Sequence, residues 1–443
     1  MIVMKFGGSS VANAERIRNI VSIIKRYANE RPIVVLSAMG DTTDHLLESA
    51  DNALGGIVDI EKIEKLHIDT AKELGLTEND FAPVQDLLSQ LKTLLTGISM
   101  LKELTKRSMD YLVSFGECLS VRIVAAYLSH EQVPARFYDG WEAGFISNSN
   151  FTSAELLDSV WKDIPNVFED YKTGVQKEIP IVTGFIAKDK NGYITTLGRG
   201  GSDLTATMIG AALQVEEIQT WKDVDGILTA NPKIVPHAHS VLSVTYEEAA
   251  ELAYFGAQIL HPRSMTPCRK TGTPVRVKNS YNIDFEGSLI TEKHTQNITG
   301  VRAITAVEKV ALIEIVSTRM LGASGFLAHI FNIFLKQNIS IDVISTSEVS
   351  ISLTVDAKKD LSGLIEDLSA VAETHVNYNK AIVTVICDAM HSSGIVAKGF
   401  AALDAKGINP DMISQGASKV NISLVCNADD TATVMNILHD AYF

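Results

Sequence analysis

Residues 2–36, IVMKFGGSSVANAERIRNIVSIIKRYANERPIVVL, decide the fold. Ile2 to Phe6 is a short apolar run that stops at Gly7-Gly8, the pattern of a buried strand entering a tight turn. From Val11 onward, Ile17, Ile20, Val21 and Ile24 recur at the spacing a helix uses to face a core, and Arg31-Pro32 ends that helix. Ile33-Val34-Val35-Leu36 is a second buried strand, so the stretch is a βαβ unit and requires a parallel sheet. Strands read at Ala135–Tyr138, Ile179–Val182, Tyr193–Thr196, Gln219–Trp221 and Pro274–Val277 extend it, while residues 46–114 read mostly as helix. The expectation is an α/β domain over 1–295 with a parallel-rich sheet sandwiched by helices. The polar, aperiodic stretch 284–297 marks its boundary.

Beyond that boundary the sequence repeats. SGFLA at 324–328 through QNISIDVIS at 337–345 matches SGIVA at 393–397 through KGINPDMIS at 406–414, at one constant offset of 69 residues. A fixed period signals duplicated units. In the first copy Phe326, Leu327, Ile330, Phe331, Phe334 and Leu335 form a helical stripe, and Ile351, Leu353 and Val355 alternate as a strand does. Strand, helix, two strands, helix and strand make a ferredoxin-like βαββαβ unit. Two such units fill 301–443, the first at 307–375 and the second at 376–443; the sequence leaves open whether one is nested in the other.

The 443 residues, 46% hydrophobic and 21% charged, describe a folded chain of roughly three domains at ~150 residues each. With 39 basic against 53 acidic residues the net charge is −14, which excludes a non-specific binder of nucleic acid or anionic membrane. An anionic ligand must meet local cations. Cys118, Cys268, Cys387 and Cys426 make no CxxC pair, and His237, His239 and His261 keep no regular spacing with a carboxylate or cysteine, so no disulfide and no protein-held metal is expected. The start lacks a basic segment followed by an apolar one, and no run of about 18 apolar residues occurs, so the expectation is a cytoplasmic protein without a membrane span.

Two glycine turns carry the chemistry. Lys5-Phe6-Gly7-Gly8-Ser9-Ser10 sets a cation at the end of a strand and glycines at the turn, where backbone N–H groups can approach a phosphate. A plain Gly-Gly turn with a solvated lysine has the same local sequence. Gly198-Arg199-Gly200-Gly201-Ser202-Asp203 follows one strand and opens the apolar run Leu204–Ala212; its arginine can grip a carboxylate or phosphate bidentately while Ser202 and Asp203 cap the helix. Thr43, within Ser37-Ala38-Met39-Gly40-Asp41-Thr42-Thr43-Asp44, offers a hydroxyl after the second strand. Ser114-Phe115-Gly116-Glu117 reads as a carboxylate at the start of a helix over Leu119–Leu128, able to bind an ammonium group or serve the helix dipole. Trp221 to Leu228, then Asn231-Pro232-Lys233, adds Lys222, Lys233 and a glycine turn, without the glutamate a calcium loop would need.

In this order KFGGSSV, VVLSAMGDTTD, SFGE, TLGRGGSD, DVDGILTANP and FGAQILHP resemble the aspartokinases of the amino-acid kinase superfamily. GFLAHIFNIF and SIDVISTSEVS look like their tandem ACT regulatory domains. The resemblance implies an amino-acid-kinase-like sheet plus two ACT units, and an enzyme that moves the ATP γ-phosphate, with Mg²⁺, onto the side-chain carboxylate of L-aspartate. That reaction opens lysine, threonine and methionine biosynthesis. It places Lys5, Gly7, Gly8, Asp223, Leu228, Lys233 and Gln258 on ATP, and Thr43, Glu117, Arg199, Ser202 and Asp203 on aspartate, with Lys5, Arg199 and Asp203 catalytic.

Met320, Gly325, Phe326, Leu327, Ser340, Asp342, Thr346, Ser347 and Glu348 match effector positions of lysine-sensitive relatives, with lysine favoured over threonine. A homodimer or dimer of dimers through the ACT units is the expected assembly. Three positions depart from the family: Gln258 where lysine is common, Lys222 where threonine is frequent, and Leu228 where an aromatic is frequent. The intact Lys5, Arg199 and Asp203 speak against a catalytically silent amino-acid sensor.

Overall fold

The structure, a computed structural model, describes residues 1–256, 260–294, 300–317, 325–387, 392–418 and 420–443. The elements run β1 (Ile2–Phe6), α1 (Ala14–Arg26), β2 (Pro32–Leu36), α2 (Thr42–Leu54), α3 (Glu61–Glu73), α4 (Ala82–Leu101), α5 (Lys106–His130), β3 (Ala135–Tyr138), β4 (Ile146–Ser147), α6 (Val160–Val167), α7 (Glu169–Thr173), β5 (Ile179–Thr183), β6 (Ile186–Asp189), β7 (Ile194–Thr196), α8 (Gly201–Leu213) and β8 (Glu217–Lys222). They continue with β9 (Ile227–Leu228), β10 (Ser240–Val241), β11 (Ser243–Thr245), α9 (Tyr246–Tyr254), α10 (Thr266–Thr271), β12 (Val275–Asn279), β13 (Ser288–Thr291), β14 (Val301–Val316), α11 (Phe326–Lys336), β15 (Ile344–Thr346), β16 (Ser350–Asp356), α12 (Ser362–Ser369), β17 (Glu373–Cys387), α13 (Ser392–Asp404), β18 (Met412–Ser414), β19 (Asn421–Asn427) and α14 (Thr431–Tyr442). Two compact units form, Met1–Ile227 with Leu260–Lys293, and Leu228–Ile259 with His294–Phe443. The segment Leu228–Ile259 joins the second unit although it precedes the polar stretch at 284–297.

In the first unit the strands lie in the order β13-β12-β8-β1-β2-β5-β3, with β12–β13 antiparallel and the other pairs parallel. Side chains alternate across a strand, so Ile2, Met4 and Phe6 enter one core with α1–α5 and Lys5 is turned to the opposite face. There its ammonium meets Asp203 of α8. The helix expected from Val11 begins at Ala14, because Gly8–Val11 winds as a 3₁₀ turn and the Asn13 side chain caps α1 by accepting the Arg16 N–H. β13 lies inside the stretch that looked aperiodic; four residues with alternating burial are too few to reveal a period.

The larger difference concerns Ser114–Glu117. These residues sit in the middle of α5, which runs from Lys106 to His130, so Glu117 is not at a helix start and cannot serve the dipole there. A side-chain carbon at Gly116 would come within 2.8 Å of the Ala38 Cβ, so glycine lets α5 close on the turn after β2. Among the described residues α5 is the one helix long and apolar enough to cross a membrane, but it is mostly buried inside the protein. A helix apolar on every side belongs in a core.

His67 of α3 is fully buried in this unit, with Nδ1 against the Ile63 carbonyl at 2.7 Å, and burial pushes its pKa down to about 4. In the unfolded chain the imidazole takes up its proton near pH 6.5, in the folded chain only near 4. Stability is therefore full above pH 6.5 and falls through the window down to 4 by about 3 kcal/mol. Urea unfolding of His67→Leu should lack this acid limb; an unchanged pH profile would assign the loss to other groups.

The second unit holds a six-stranded sheet ordered β15-β16-β14-β17-β19-β18. Its two long central strands are each shared. The C-terminal half of β14 pairs with β16 and with the start of β17, while Val301–Val307 pairs with Ile382–Cys387, which in turn pairs with β19. The register shifts between Val307 and Val310, where Lys309 takes φ 62, and Asn379 on the facing strand takes φ 60. One βαββαβ unit consists of the end of β14, α11, β15, β16, α12 and the start of β17. The other consists of the end of β17, α13, β18, β19, α14 and the start of β14, so the first is inserted into the second. Each packs its own core, Ile313, Phe334, Leu353 and Leu364 in one and Val383, Leu403, Leu424 and Leu438 in the other.

Candidate functional site

An open cavity of about 490 Å³ lies in the first unit, lined by Lys5, Gly8, Ser37, Ala38, Gly40, Thr43, Glu117, Phe185, Gly198, Arg199, Gly200, Gly201, Ser202 and Asp203. Lys5, Ser37 and Phe185 belong to the carboxyl ends of β1, β2 and β5 or to the turns that follow them. Crevices at the carboxyl ends of parallel strands are where open α/β sheets bind ligands. The N-terminus of α8 faces the same space; Gly200 and not Ser202 or Asp203 is its cap, no side chain caps it, and the Gly201 N–H donates to the Gly198 carbonyl at 3.0 Å, while the positive end of the helix dipole suits an anion.

The electrostatics are uneven. Lys5 Nζ and Asp203 Oδ1 are 2.8 Å apart, with side chains only 11% and 13% exposed. Glu117 accepts the Ala38 N–H at 3.3 Å through Oε1, and its Oε2 has no hydrogen-bond partner among the described residues. Burial pushes its pKa up to about 8, against the smaller opposing pull of backbone N–H donors and the Lys5 charge. Lys222, at the end of β8, is pushed down by burial; Asp203 draws it back up and Lys5 pushes it further down, so all three groups share one field. Arg199 is exposed at the cavity wall.

The Gly198–Asp203 loop is held from outside. Asp110 of α5 accepts the Thr152 N–H at 2.9 Å and both the N–H and hydroxyl of Thr196, at 3.0 and 2.8 Å. Arg263 donates to the Leu197 carbonyl at 3.2 Å and the Ala154 carbonyl at 3.1 Å. Gly200 has φ +73, and a Cβ there would lie 2.4 Å from the His261 Cβ, so only glycine fits between this loop and the His261-Pro262-Arg263 turn. Phe185, which lines the cavity, takes φ 68 and donates its N–H to the Thr205 hydroxyl at 3.1 Å. Asp110, Phe185 and Arg263 have no role in the sequence reading, and Lys222 enters it only as one of two lysines near a glycine turn and as a departure from the family pattern.

Of the nucleotide residues read from the sequence, Lys5 and Gly8 line the cavity, and the place of a Gly7 Cβ is 3.7 Å from the Lys5 ammonium. Asp223 is exposed and is not among the lining residues. Leu228 and Lys233 belong to the second unit, and Gln258 lies outside the described residues. All five substrate residues, Thr43, Glu117, Arg199, Ser202 and Asp203, line the cavity.

The effector positions are spread over one ACT unit. Gly325 (φ +97) and Phe326 open α11, Leu327 is 41% exposed on it, and Ser340 and Asp342 lie on the connection to β15. Thr346 ends β15, and Ser347 and Glu348 turn into β16, where the Ser347 hydroxyl accepts the Val349 and Ser350 N–H groups. Met320 lies outside the described residues. Asp342 meets the Tyr254 hydroxyl at 3.4 Å and burial raises its pKa to about 6. Its counterpart one repeat later, Asp411, is instead neutralised by Lys380 at 2.9 Å.

Comparison with known proteins agrees with this geometry. The amino acid kinase family model matches residues 1–279, and an ACT domain model matches 313–361 and 383–442. The fold is that of an amino acid kinase carrying ACT domains. Aspartokinase 1, chloroplastic, of Arabidopsis thaliana is 47% identical over 100% of this chain and 80% of its own length, and the lysine-sensitive aspartokinase 3 of Escherichia coli is 32% identical over 100% and 99%. The crystal structure of Escherichia coli aspartokinase III in complex with aspartate and ADP, at 30% identity, covers 100% of this chain and 99% of that one with a TM-score of 0.82. The chain belongs to the aspartokinase family.

Proposed function

We propose that this chain transfers the γ-phosphoryl group of ATP to the side-chain carboxylate of L-aspartate, giving 4-phospho-L-aspartate, and that lysine inhibits it through the ACT region. The observation that carries the reading is the meeting of Lys5, Glu117, Arg199 and Asp203 in one cavity at the carboxyl ends of parallel strands. A side-chain carboxylate of pKa ~3.9 is already a nucleophile at neutral pH, so the reaction asks for no general base. It asks for alignment and for neutralisation of phosphate charge.

Lys5 and the N–H groups at the start of α8 supply fixed positive potential where charge builds up. Arg199 grips one carboxylate of aspartate, Glu117 takes its ammonium, and Thr43 and Ser202 offer hydroxyls. Two carboxylates line the cavity, one paired with Lys5 and one buried in α5, so Mg²⁺ enters on the nucleotide as part of the substrate. Mg²⁺ bound there shields the β- and γ-phosphate charge. Gly7 and Asp223 of the same unit join the nucleotide contacts under this reading. Residues 1–295 form the catalytic domain and 301–443 the regulatory one. Asp342, which among the described residues has no lysine ion pair of the kind Asp411 has, suits a cationic effector, and this favours lysine over threonine. Pairing of ACT units into a homodimer or a dimer of dimers, in the cytoplasm, completes the proposal.

The test traps the acyl phosphate as a hydroxamate with hydroxylamine, ATP, Mg²⁺ and aspartate, with lysine or threonine added in parallel. Hydroxamate should form and lysine should suppress it. Arg199→Ala should raise the aspartate KM by about 10²-fold while ATP binding is kept, because truncating one partner of a charged pair costs about 2–5 kcal/mol. No hydroxamate, or an unchanged aspartate KM in that variant, rejects the assignment.

A further inference from the structure

His237 and Asp440, 203 residues apart in sequence, are joined in the second unit by a 2.9 Å contact from Nε2 to Oδ1. One ring nitrogen of His237, one of His439 and a carboxylate oxygen of Asp440 all lie within 4.8 Å of one another. The sequence showed no metal spacing because two of these residues stand on α14 and the third on the turn after Asn231. That turn is fixed to the helix: the Asn436 side-chain amide donates to the Ile234 carbonyl at 3.1 Å.

His439 supplies the independent observation. It is 1% exposed, its Nε2 is 2.9 Å from the Thr229 hydroxyl, and its Nδ1 is buried with no hydrogen-bond partner among the described residues. Leaving such an atom unpaired costs about 1–3 kcal/mol, so the nitrogen calls for a partner. A histidine that binds metal through one nitrogen donates its other N–H to a neighbour, and Thr229 stands where that acceptor belongs.

We propose that His237, His439 and Asp440 form a binding site for a divalent transition metal ion, Zn²⁺ by ligand type. Two imidazoles and a carboxylate with an open fourth position suit zinc. Ligand atoms bound at about 2.0–2.2 Å must draw closer than the present outer limit of separation. The exposed side chains of His237 and Asp440, 57% and 68% accessible, are free to rotate inward around the fixed His439. Water or His239, whose ring lies 6.1 Å from that of His439, fills the fourth position. The bound ion clamps the turn that carries Lys233 onto the last helix of the ACT region.

Calorimetric titration of the chelator-stripped full chain with ZnCl₂ alone tests this, alongside the double variant H237N/D440N, whose two changes are at exposed positions. The wild-type chain should bind one Zn²⁺ per chain with a rise in melting temperature, and Co²⁺ should give the visible absorption of a tetrahedral nitrogen and oxygen site. The double variant should melt normally without metal and bind Zn²⁺ at least about 100-fold more weakly. Absence of stoichiometric binding by the wild-type chain overturns the proposal, and so does equal binding by the variant, which would point to the cysteines.

Discussion

Lys5→Met lowers kcat by about 10²–10³-fold, the loss expected when one fixed donor is removed from a charge-stabilising site. The same change lowers the melting temperature. Lys5 and Asp203 are 2.8 Å apart and nearly buried, so removing the ammonium strands a carboxylate at a cost of about 3 kcal/mol. The two losses must be separated, because an unstable enzyme also loses activity. The double variant K5M/D203N does this: with both charges gone, stability returns most of the way, since an uncharged pair of similar volume carries no desolvation penalty. Activity does not return, because the positive potential at the phosphate is still missing. Denaturant unfolding beside initial rates at saturating ATP and aspartate reads both quantities. Were kcat to recover along with stability in the double variant, Lys5 would be a structural partner of Asp203 and nothing more.

The parts of this site that are legible in the sequence are those whose chemistry is local. Lys5 before two glycines, and Arg199 among three glycines before a helix, state an anion-binding turn within a few residues, and both line the cavity. The βαβ reading of residues 2–36 is equally local, since it needs only two short apolar runs and the stripe of the helix between them. What could not be read depends on partners far apart in the chain. Asp110 bonds Thr196 across 86 residues and Arg263 reaches Leu197 across 66, and neither carboxylate nor guanidinium sits in a pattern that announces its target. Glu117 was legible as a carboxylate of interest but was placed at a helix start, because an apolar run after SFGE hides the two helical turns before it. The repeat at offset 69 revealed two ACT units, yet not that β14 and β17 each serve both, because strand sharing is set by register and not by composition.

Glu117 gives the aspartate KM a pH dependence that no exposed carboxylate would. In the ligand-free protein its carboxyl titrates at about 8, raised by burial, so at pH 7 it is mostly protonated and neutral. An ammonium group brought against it favours the anion, and binding therefore expels a proton. Below pH 8 the aspartate KM should fall with rising pH, by up to roughly tenfold per unit, and level off above it. Calorimetry at pH 7 in buffers of different ionisation enthalpy should record close to one proton released per aspartate bound. In Glu117→Gln, which keeps an acceptor for the Ala38 N–H, the KM is higher and flat with pH, and no proton is released. The sign also holds for folding. An acid whose folded pKa lies above its unfolded value near 4.5 binds more protons when folded, so stability falls as pH rises from 4.5 to 8. Glu117→Gln is then the more stable protein at pH 8, by up to about 4 kcal/mol. A wild-type KM that does not vary between pH 6 and 8, or proton release that survives in the glutamine variant, would show that Glu117 does not hold the substrate ammonium.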